Sequence, residues 1–472
     1  MIETKTLPSG MLKPGVYGEL NTSTGANALP ANIQPLLLIG QRTSAGVQSA
    51  LKPLQIFGAG EAAAAFGTGS VAHRMALSAF KVSTSVPVFL VAVDDAASSA
   101  AATAVLTLTG TSTAAGSIVA FFGNDRLELG VAAGVSPGAT VTALVAAVNA
   151  ATYLPITAET TTDGVAKFTF KNKGTVGNQL TLNVSCSAAG MSLSSQRIDF
   201  AGGTVDPDLQ PALDKVFAGS YVVYAHYLQD ALSCGLLKAH VDTISGSIEQ
   251  RPARAVVGTN STVFSNATTL SATLNDERDH IAYARGCRKP GYELAAATAA
   301  SLAEETDPAV PLDGKVVPGI DVPDTVYLFS RSEQEALLSA GVTPLEPVGS
   351  DMTIVRMVTT RTKTAGTTDL TLLDTGTIAC MDYVRLSCNT RIKLVFGRAT
   401  LDDRTPALVV IQAVDVLYRL QDLRIVQQVD KYKAYVTCDF DANAKGRLRL
   451  RIPSPIVYGL HQIFELFDLI LV

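Results

Sequence analysis

The sequence predicts a multidomain protein of mixed α/β and α+β class. It comprises an α/β core, an inserted β-rich domain, and a C-terminal α+β domain, with strand-forming segments toward both ends. Three observations predict this. Apolar runs alternate with helical stretches over residues 31–93 and again over 205–330, the pattern of strand, helix, strand in an α/β layer. Between them, over 94–204, charge nearly vanishes and Ala, Gly, Ser and Thr dominate, with Arg126, Lys167, Lys171, Lys173 and Arg197 as the basic residues. Finally, Ile463 to Val472 reads I-F-E-L-F-D-L-I-L-V, in which eight of ten residues are apolar.

Residues 1–30 read as an arm, in which the Pro14-Gly15 turn leads into a short strand over Val16, Tyr17, Glu19 and Leu20. Pro35 to Gly40 is a buried strand, residues 57–80 contain a helix, and Val86 to Val93 is a second buried strand. Within the insertion, strands are predicted at 104–109, 125–129, 167–171 and 180–185, with a helix at 140–151. The α/β pattern resumes with strands at 221–225, 254–258 and 281–284, and helices at 228–244, 268–275 and 292–305. A proline-rich connector follows, carrying Pro308, Pro311, Pro318 and Pro323.

The C-terminal domain, 331–472, is expected to hold a short helix at 333–340, a hairpin within 343–360, and helices at 378–393 and 407–419. Strands at 434–440 and 447–452 form a further hairpin. In G-R-L-R-L-R-I, strict alternation sets Arg447, Arg449 and Arg451 on one face. Like charges aligned on a strand repel unless they face water or an acidic partner, and both readings are open. The apolar tail is too short to span a bilayer. It either completes a sheet in its own subunit or adds a strand to another.

Composition narrows the function. Net charge is −5, from 37 basic and 42 acidic residues, so no overall basic field exists to bind nucleic acid. No stretch reaches the length of a transmembrane helix, and Met1 to Gly10 lacks a signal-peptide core, which predicts folding in a cytoplasm without membrane insertion. Six dispersed cysteines make no C-x-x-C pair and read as buried thiols. The five histidines show no metal-ligand spacing. The glycines at 58, 60, 67 and 69 complete no phosphate loop, and no G-x-S-x-G occurs. Asp402-Asp403-Arg404 reads as a helix-start charge cluster, and Asp276 to His280 as a solvated face. No catalytic, metal or cofactor-binding residue is predicted.

In their order along the chain, these segments resemble the contractile tail sheath proteins of bacteriophages, within them the Mu-like branch. The likeness is carried by Lys13 to Tyr17 with Pro35 to Gly40, and by Val322 to Phe329 with Leu337 to Pro344. It continues through Ile354 to Arg361 with Asp382 to Arg385, and through Phe396 to Arg398 with Asp402 to Ala407 and the terminal hairpin and tail. It covers residues 1–93 and 205–472; the insertion matches in position and low charge.

The resemblance implies a structural, non-enzymatic subunit that assembles without a cofactor. Such subunits stack as hexameric rings around a tail tube and contract to drive the tube through the host envelope during genome delivery. It implies inter-subunit strand exchange through Val16, Tyr17, Glu19 and Leu20 in one arm and Leu466, Phe467, Leu469, Ile470, Leu471 and Val472 in the other. The segments Asn21–Pro30 and Pro453–Pro455 would be hinges, and the insertion would lie outermost. Arg447, Arg449 and Arg451, or the helix at 407–419, become candidates for tube contact. The implied partners are further copies of the chain, the tail tube protein, and baseplate and tail terminator proteins. The implied location is the virion tail, after assembly in a host bacterial cytoplasm. The alternatives are the sheath of a phage-derived particle resembling an R-type bacteriocin, and a cytosolic α/β enzyme with an inserted lid.

Overall fold

The computed structural model describes Lys13, Gly15 and residues 29–470. An eight-stranded mixed sheet organises the larger of two compact units, which comprises residues 33–380 and 458–472. Its first elements are β1 (Leu36–Gln41), β2 (Leu54–Ile56), α1 (Ala59–Phe66), α2 (Val71–Val82) and β3 (Val88–Val93). All six residues of β1 are buried. A parallel strand covered on both faces needs an unbroken apolar run, which L-L-L-I supplies. Ser70 starts α2 by accepting from the His73 N–H, satisfying one of the helix's unpaired donors.

The insertion contains β4 (Thr103–Thr109), β5 (Gly116–Phe122), β6 (Asp125–Val131), α3 (Pro137–Ala150), β7 (Ile156–Thr162), β8 (Val165–Phe170), β9 (Thr181–Cys186), β10 (Ser192–Leu193) and β11 (Arg197–Asp199). They form two four-stranded antiparallel sheets, ordered β10-β4-β8-β7 and β11-β9-β5-β6. Alternate residues point inward, as in β8, where Ala166, Phe168 and Phe170 are buried. Phe122 of one sheet meets Phe168 of the other edge-on, with centroids 5.1 Å apart.

The main sheet continues through α4 (Gln210–Val216), β12 (Val223–His226), α5 (Ala231–Ser245), β13 (Arg254–Thr259), α6 (Phe264–Leu274), β14 (Asp279–Tyr283) and α7 (Gly291–Glu304). In α7, Gly291 through Ala303 are all buried. Its small residues allow close approach: a Cβ at Gly258 on β13 would fall 2.3 Å from the Gly291 carbonyl oxygen. Helix α6 begins four residues before the predicted start. Ala267, Leu270 and Leu274 form its buried stripe, and that packing extends the helix through a Ser- and Thr-rich stretch.

Helix α8 (Arg331–Ser339) opens with a capping box between Ser330 and Glu333. Strands β15 (Thr343–Val348) and β16 (Asp351–Ile354) then complete the sheet, in the order β16-β15-β14-β13-β12-β1-β3-β2. This corrects the boundary at 330/331. β15 pairs in parallel with β14, so the chain from 331 to 354 belongs to the main sheet. The proline-rich connector is no loose linker either, because Val317 N–H donates to Met352 O at 2.8 Å and Ile354 N–H to Lys315 O at 3.0 Å. The division between compact units falls at 380/381, and residues 458–472 group with the sheet rather than with 381–457.

A two-stranded ladder, β17 (Lys363–Thr364) with β18 (Thr367–Thr368), precedes α9 (Thr375–Phe396). The smaller unit holds α10 (Thr405–Asp422), α11 (Val429–Tyr432) and the hairpin of β19 (Thr437–Phe440) and β20 (Leu448–Arg451). Val409, Ala413, Val416, Leu417 and Leu420 form the buried stripe of α10. Asp402 caps the chain entering α10, accepting from Thr405 N–H at 2.9 Å.

The reading of Asp276 to His280 as a solvated face is overturned. Asp276, Arg278, Asp279 and His280 are buried, and His280 Nδ1 meets Val358 O at 3.0 Å. The cluster reads as surface from its charge, but it opens a central parallel strand. Burial raises the Asp279 carboxyl well above the usual range, aided by the charges of Asp276 and Asp242.

Candidate functional site: a filled crevice, an exposed tail and an arginine hairpin

Open parallel sheets usually bind ligands beyond the carboxyl ends of their strands, where the strand order reverses. Here that point lies between β1 and β12, since β3 adjoins β1 on its other side. The crevice is occupied by the chain itself, through the insertion segment 171–179. Gln41 donates to Lys173 O at 2.8 Å and Asn172 to Arg42 O at 2.8 Å. Asn172 Oδ1 accepts from the N–H of Val71, the first residue of α2, at 3.0 Å. Gln179 donates to Tyr227 O at 3.1 Å and accepts from Tyr292 N–H, at the start of α7, at 3.2 Å. Helix N-termini that could hold a phosphate are thus satisfied by side-chain amides. The insertion is a plug in the place where the enzyme alternative would need its lid to open.

Asn172 is fully buried, so Asn172→Ala leaves the Val71 N–H and the Arg42 carbonyl unpaired. A buried orphan costs about 1–3 kcal/mol. We expect a loss of that size in urea unfolding, with faster amide exchange at Val71; a change under about 0.5 kcal/mol would mean that the crevice contact is incidental.

Among the described residues the tail completes no sheet. Residues 458–470 form no strand or helix, and 462–470 are exposed. Ile463, Phe464, Leu466, Phe467, Leu469 and Ile470 are between 71% and 92% exposed. A contiguous apolar segment left in water marks an interaction site. Of the predicted strand-exchange residues, Leu466, Phe467, Leu469 and Ile470 lie on it. Val16, Tyr17, Glu19, Leu20, Leu471 and Val472 lie outside the described residues.

The stretch expected as a hinge at Pro453–Pro455 is pinned. Gln427 N–H donates to Pro455 O at 2.8 Å, and its side chain to Ile456 O at 2.9 Å. Val457 N–H donates to Ile425 O at 3.0 Å. After it, Tyr458 and Leu460 are exposed on either side of Gly459. The next residue, His461, is held between two carboxylates: Nδ1 lies 2.5 Å from Asp313 Oδ2 and Nε2 3.0 Å from Asp374 Oδ2. Sequence reasoning missed this contact because its partners lie 148 and 87 residues away.

In the arginine hairpin, β19 and β20 form a two-stranded ladder with no third strand among the described residues. Leu448 and Leu450 are half-buried on one face; Arg449 and Arg451 are exposed on the other. The stripe is partly neutralised within the subunit. Arg447 and Arg449 both pair with the Asp441 carboxylate, the latter at 3.0 Å. The Asn443 N–H and then the two arginines hold that carboxyl below its usual range. Arg451 sits opposite Thr437 and is exposed. On helix α10, Leu408 and Ile411 are also exposed.

No protein-family model matches the chain. The chain is similar to the Mu-like prophage FluMu tail sheath protein of Haemophilus influenzae, at 23% identity over 467 residues, covering 95% of each chain. Among solved structures it is similar to the helical sheath of the anti-feeding prophage in its contracted state, with TM-score 0.52 and 11% identity over 96% of this chain and 98% of that one. The sheath tail protein Lin1278 of Listeria innocua follows the same path, with TM-score 0.50 and 11% identity over 92% and 97% of the two chains. The sheath of an extracellular contractile injection system, PVC, in its contracted state gives TM-score 0.50 and 10% identity over 98% of each. The structural likeness shows the fold, a mixed α/β multidomain architecture shared with sheath subunits. The sequence likeness bears out the resemblance to Mu-like tail sheath proteins, which are structural proteins and not enzymes.

Proposed function

We propose that this chain is the sheath subunit of a contractile tail, polymerising as stacked hexameric rings around a tube and contracting to drive that tube through a host envelope. The observation that carries the reading is the exposed apolar tail: a β-prone segment that pairs with no strand among the described residues, in a chain similar along 95% of its length to a tail sheath protein. A donated strand gains ladder hydrogen bonds and buried side chains at a sheet edge. The two-stranded hairpin of β19 and β20 supplies such an edge in another copy. The N-terminal arm would donate in the same way through Val16, Tyr17, Glu19 and Leu20.

With the sheet's crevice filled by the insertion, the energy of contraction resides in subunit packing. Extended and contracted lattices are two packings of one subunit, and donated strands keep copies linked while their bodies move. Residues 458–460 are the hinge that this motion needs. The outward Arg451, with Arg447 and Arg449, is a candidate for holding an acidic tube surface through screened contacts. The insertion faces outward, and baseplate and terminator proteins cap the ends of the polymer. Location in the tail of a virion, after assembly in a bacterial cytoplasm, follows from the same reading. Two of the similar solved structures belong to the anti-feeding prophage and an extracellular injection system, which favours a phage-derived contractile particle as the second reading.

Negative-stain electron microscopy of the full chain, alone and co-expressed with a tail tube protein, tests the proposal. Regular hollow cylinders are expected in at least one arm. Dispersed particles in both would sink it. In the co-expressed arm, Arg451→Glu should release sheath from tube at lower salt than wild type; equal salt tolerance would remove the stripe from the tube interface.

A further inference from the structure

We propose that His461 is a protonation-dependent clasp that holds the root of the C-terminal tail against the subunit body and releases it when the imidazole loses a proton. The proposal goes beyond strand donation and rests on it for its purpose, since the clasp governs the strand that would be donated.

Both ring nitrogens of His461 face carboxylate oxygens, Asp313 Oδ2 at 2.5 Å and Asp374 Oδ2 at 3.0 Å. A neutral imidazole carries one N–H and one lone pair, and only the imidazolium donates from both nitrogens. Making both contacts as hydrogen bonds to carboxylates therefore requires the charged ring. Without the second proton, a nitrogen lone pair would face a carboxylate oxygen at hydrogen-bond distance, and one side of the clasp would turn repulsive.

The surroundings sharpen this dependence. Asp313 lies on the connector after α7, and its Oδ1 is enclosed with no hydrogen-bond partner, so the imidazolium is its counter-charge at that end. Asp374 stands just before α9, and its other oxygen accepts from Gly376 N–H at 3.2 Å. The cleft lined by these two carboxylates also carries Arg254 from β13 and Glu305 from the end of α7. Of these side-chain types, histidine is the one that ordinarily changes its charge near neutral pH.

Position gives the clasp its effect. Among the described residues 458–470, His461 is the residue that hydrogen-bonds to the rest of the protein. Tyr458 and Leu460 on either side of Gly459 are each 71% exposed. Beyond His461 the described residues of the apolar segment, 462–470, are exposed and make no hydrogen bond to other described residues. Opening the clasp would lengthen the free arm back to Val457.

Limited chymotrypsin digestion of the soluble full-length chain tests this without requiring polymers. Cleavage after Tyr458 or Leu460 needs the clasp to open, whereas cleavage after Phe464 or Phe467 does not. The ratio of the two initial rates, read by mass spectrometry, cancels the protease's own pH dependence. From about pH 6 to 8.5 the ratio should rise roughly tenfold in wild type, the change expected when one charge-assisted hydrogen bond leaves a local opening equilibrium. His461→Gln, which cannot titrate, should give a high ratio at every pH. Asp313→Asn, whose amide can donate to a neutral ring, should give a low ratio at every pH. A flat wild-type ratio, or a His461→Gln profile that follows wild type, overturns the clasp. Cylinder formation judges the sheath reading separately, so failure of one is distinguishable from failure of the other.

Discussion

Deleting Ile463 to Val472 is expected to abolish polymer formation while leaving the subunit folded. The described part of this segment makes no hydrogen bond to the rest of the protein, and its six described apolar side chains are 71–92% exposed. Its removal therefore takes almost nothing from the native subunit, and the melting temperature should move by no more than about 2 °C. In an assembly the balance reverses. Burying one such side chain contributes about 1.5–3 kcal/mol, so six contribute on the order of 10 kcal/mol per donated strand before ordering costs. Every copy in a ring would lose that link at once. The truncation keeps His461 and hence the clasp with Asp313 and Asp374. Differential scanning fluorimetry and electron microscopy on the same preparation check both halves. Long, regular polymers from the truncated chain would remove the tail from the assembly mechanism; a collapsed melting temperature would show that the tail packs within its own subunit.

The sequence carried the secondary elements better than their grouping. Runs such as Leu36–Ile39 and Ala255–Val257 declare buried parallel strands because both faces must be apolar, and Ser70 and Ser330 mark helix starts through local capping. β5 and β7 escaped notice. Gly116–Phe122 ends in a continuous apolar run, and Ile156–Thr162 is mostly threonine on an exposed edge, so neither displays a clean alternation. The boundary at 330/331 failed because prolines suggested a linker, while Lys315 and Val317 between them pair with β16. The sites divide along the same line. The apolar tail is legible locally, and so is the arginine alternation. The Asp441 carboxylate that neutralises two of those arginines lies just across the same hairpin, whereas the plug formed by Asn172 and Gln179 and the His461 clasp are products of tertiary placement. No spacing rule announces a partner 48 to 148 residues away, and charge alone sent Asp276 to His280 to the wrong side of the surface.

The buried ion network between α2, α7 and the insertion should show the largest single-residue effect on stability. Arg74 Nε lies 2.8 Å from Glu293 Oε1, and its Nη2 lies 2.5 Å from Asp125 Oδ2 at the start of β6. Lys289 Nζ reaches Glu293 Oε2 at 3.2 Å, and Ser78 donates to the same oxygen at 3.1 Å. The side chains of Arg74, Lys289 and Glu293 are 3%, 3% and 1% exposed. Glu293→Gln leaves Arg74 with Asp125 alone and Lys289 with the Gly319 carbonyl in place of a carboxylate, and breaking such a network on one side costs about 3–5 kcal/mol. Burial by itself would raise the Glu293 carboxyl, but Arg74 and Lys289 outweigh it and hold it at about 2. A depressed carboxylate contributes stability above its unfolded value, and that contribution is lost as pH falls from the ordinary glutamate range toward about 2. Asp125 works in the opposite sense: burial raises it despite Arg74, so it favours folding at low pH and withdraws that support as pH rises through its raised value. Urea unfolding of Glu293→Gln should therefore show the full loss at pH 7 and a much smaller one near pH 2.5. Asp125→Asn should cost less at pH 7, since its side chain is 20% exposed and burial already opposes its charge. Pairing Glu293→Gln with Arg74→Met should recover part of the loss, because the double variant removes one stranded cation. A cost below about 1 kcal/mol for Glu293→Gln at pH 7 would show that the cations find water, and that this network is not what ties the insertion to the main sheet.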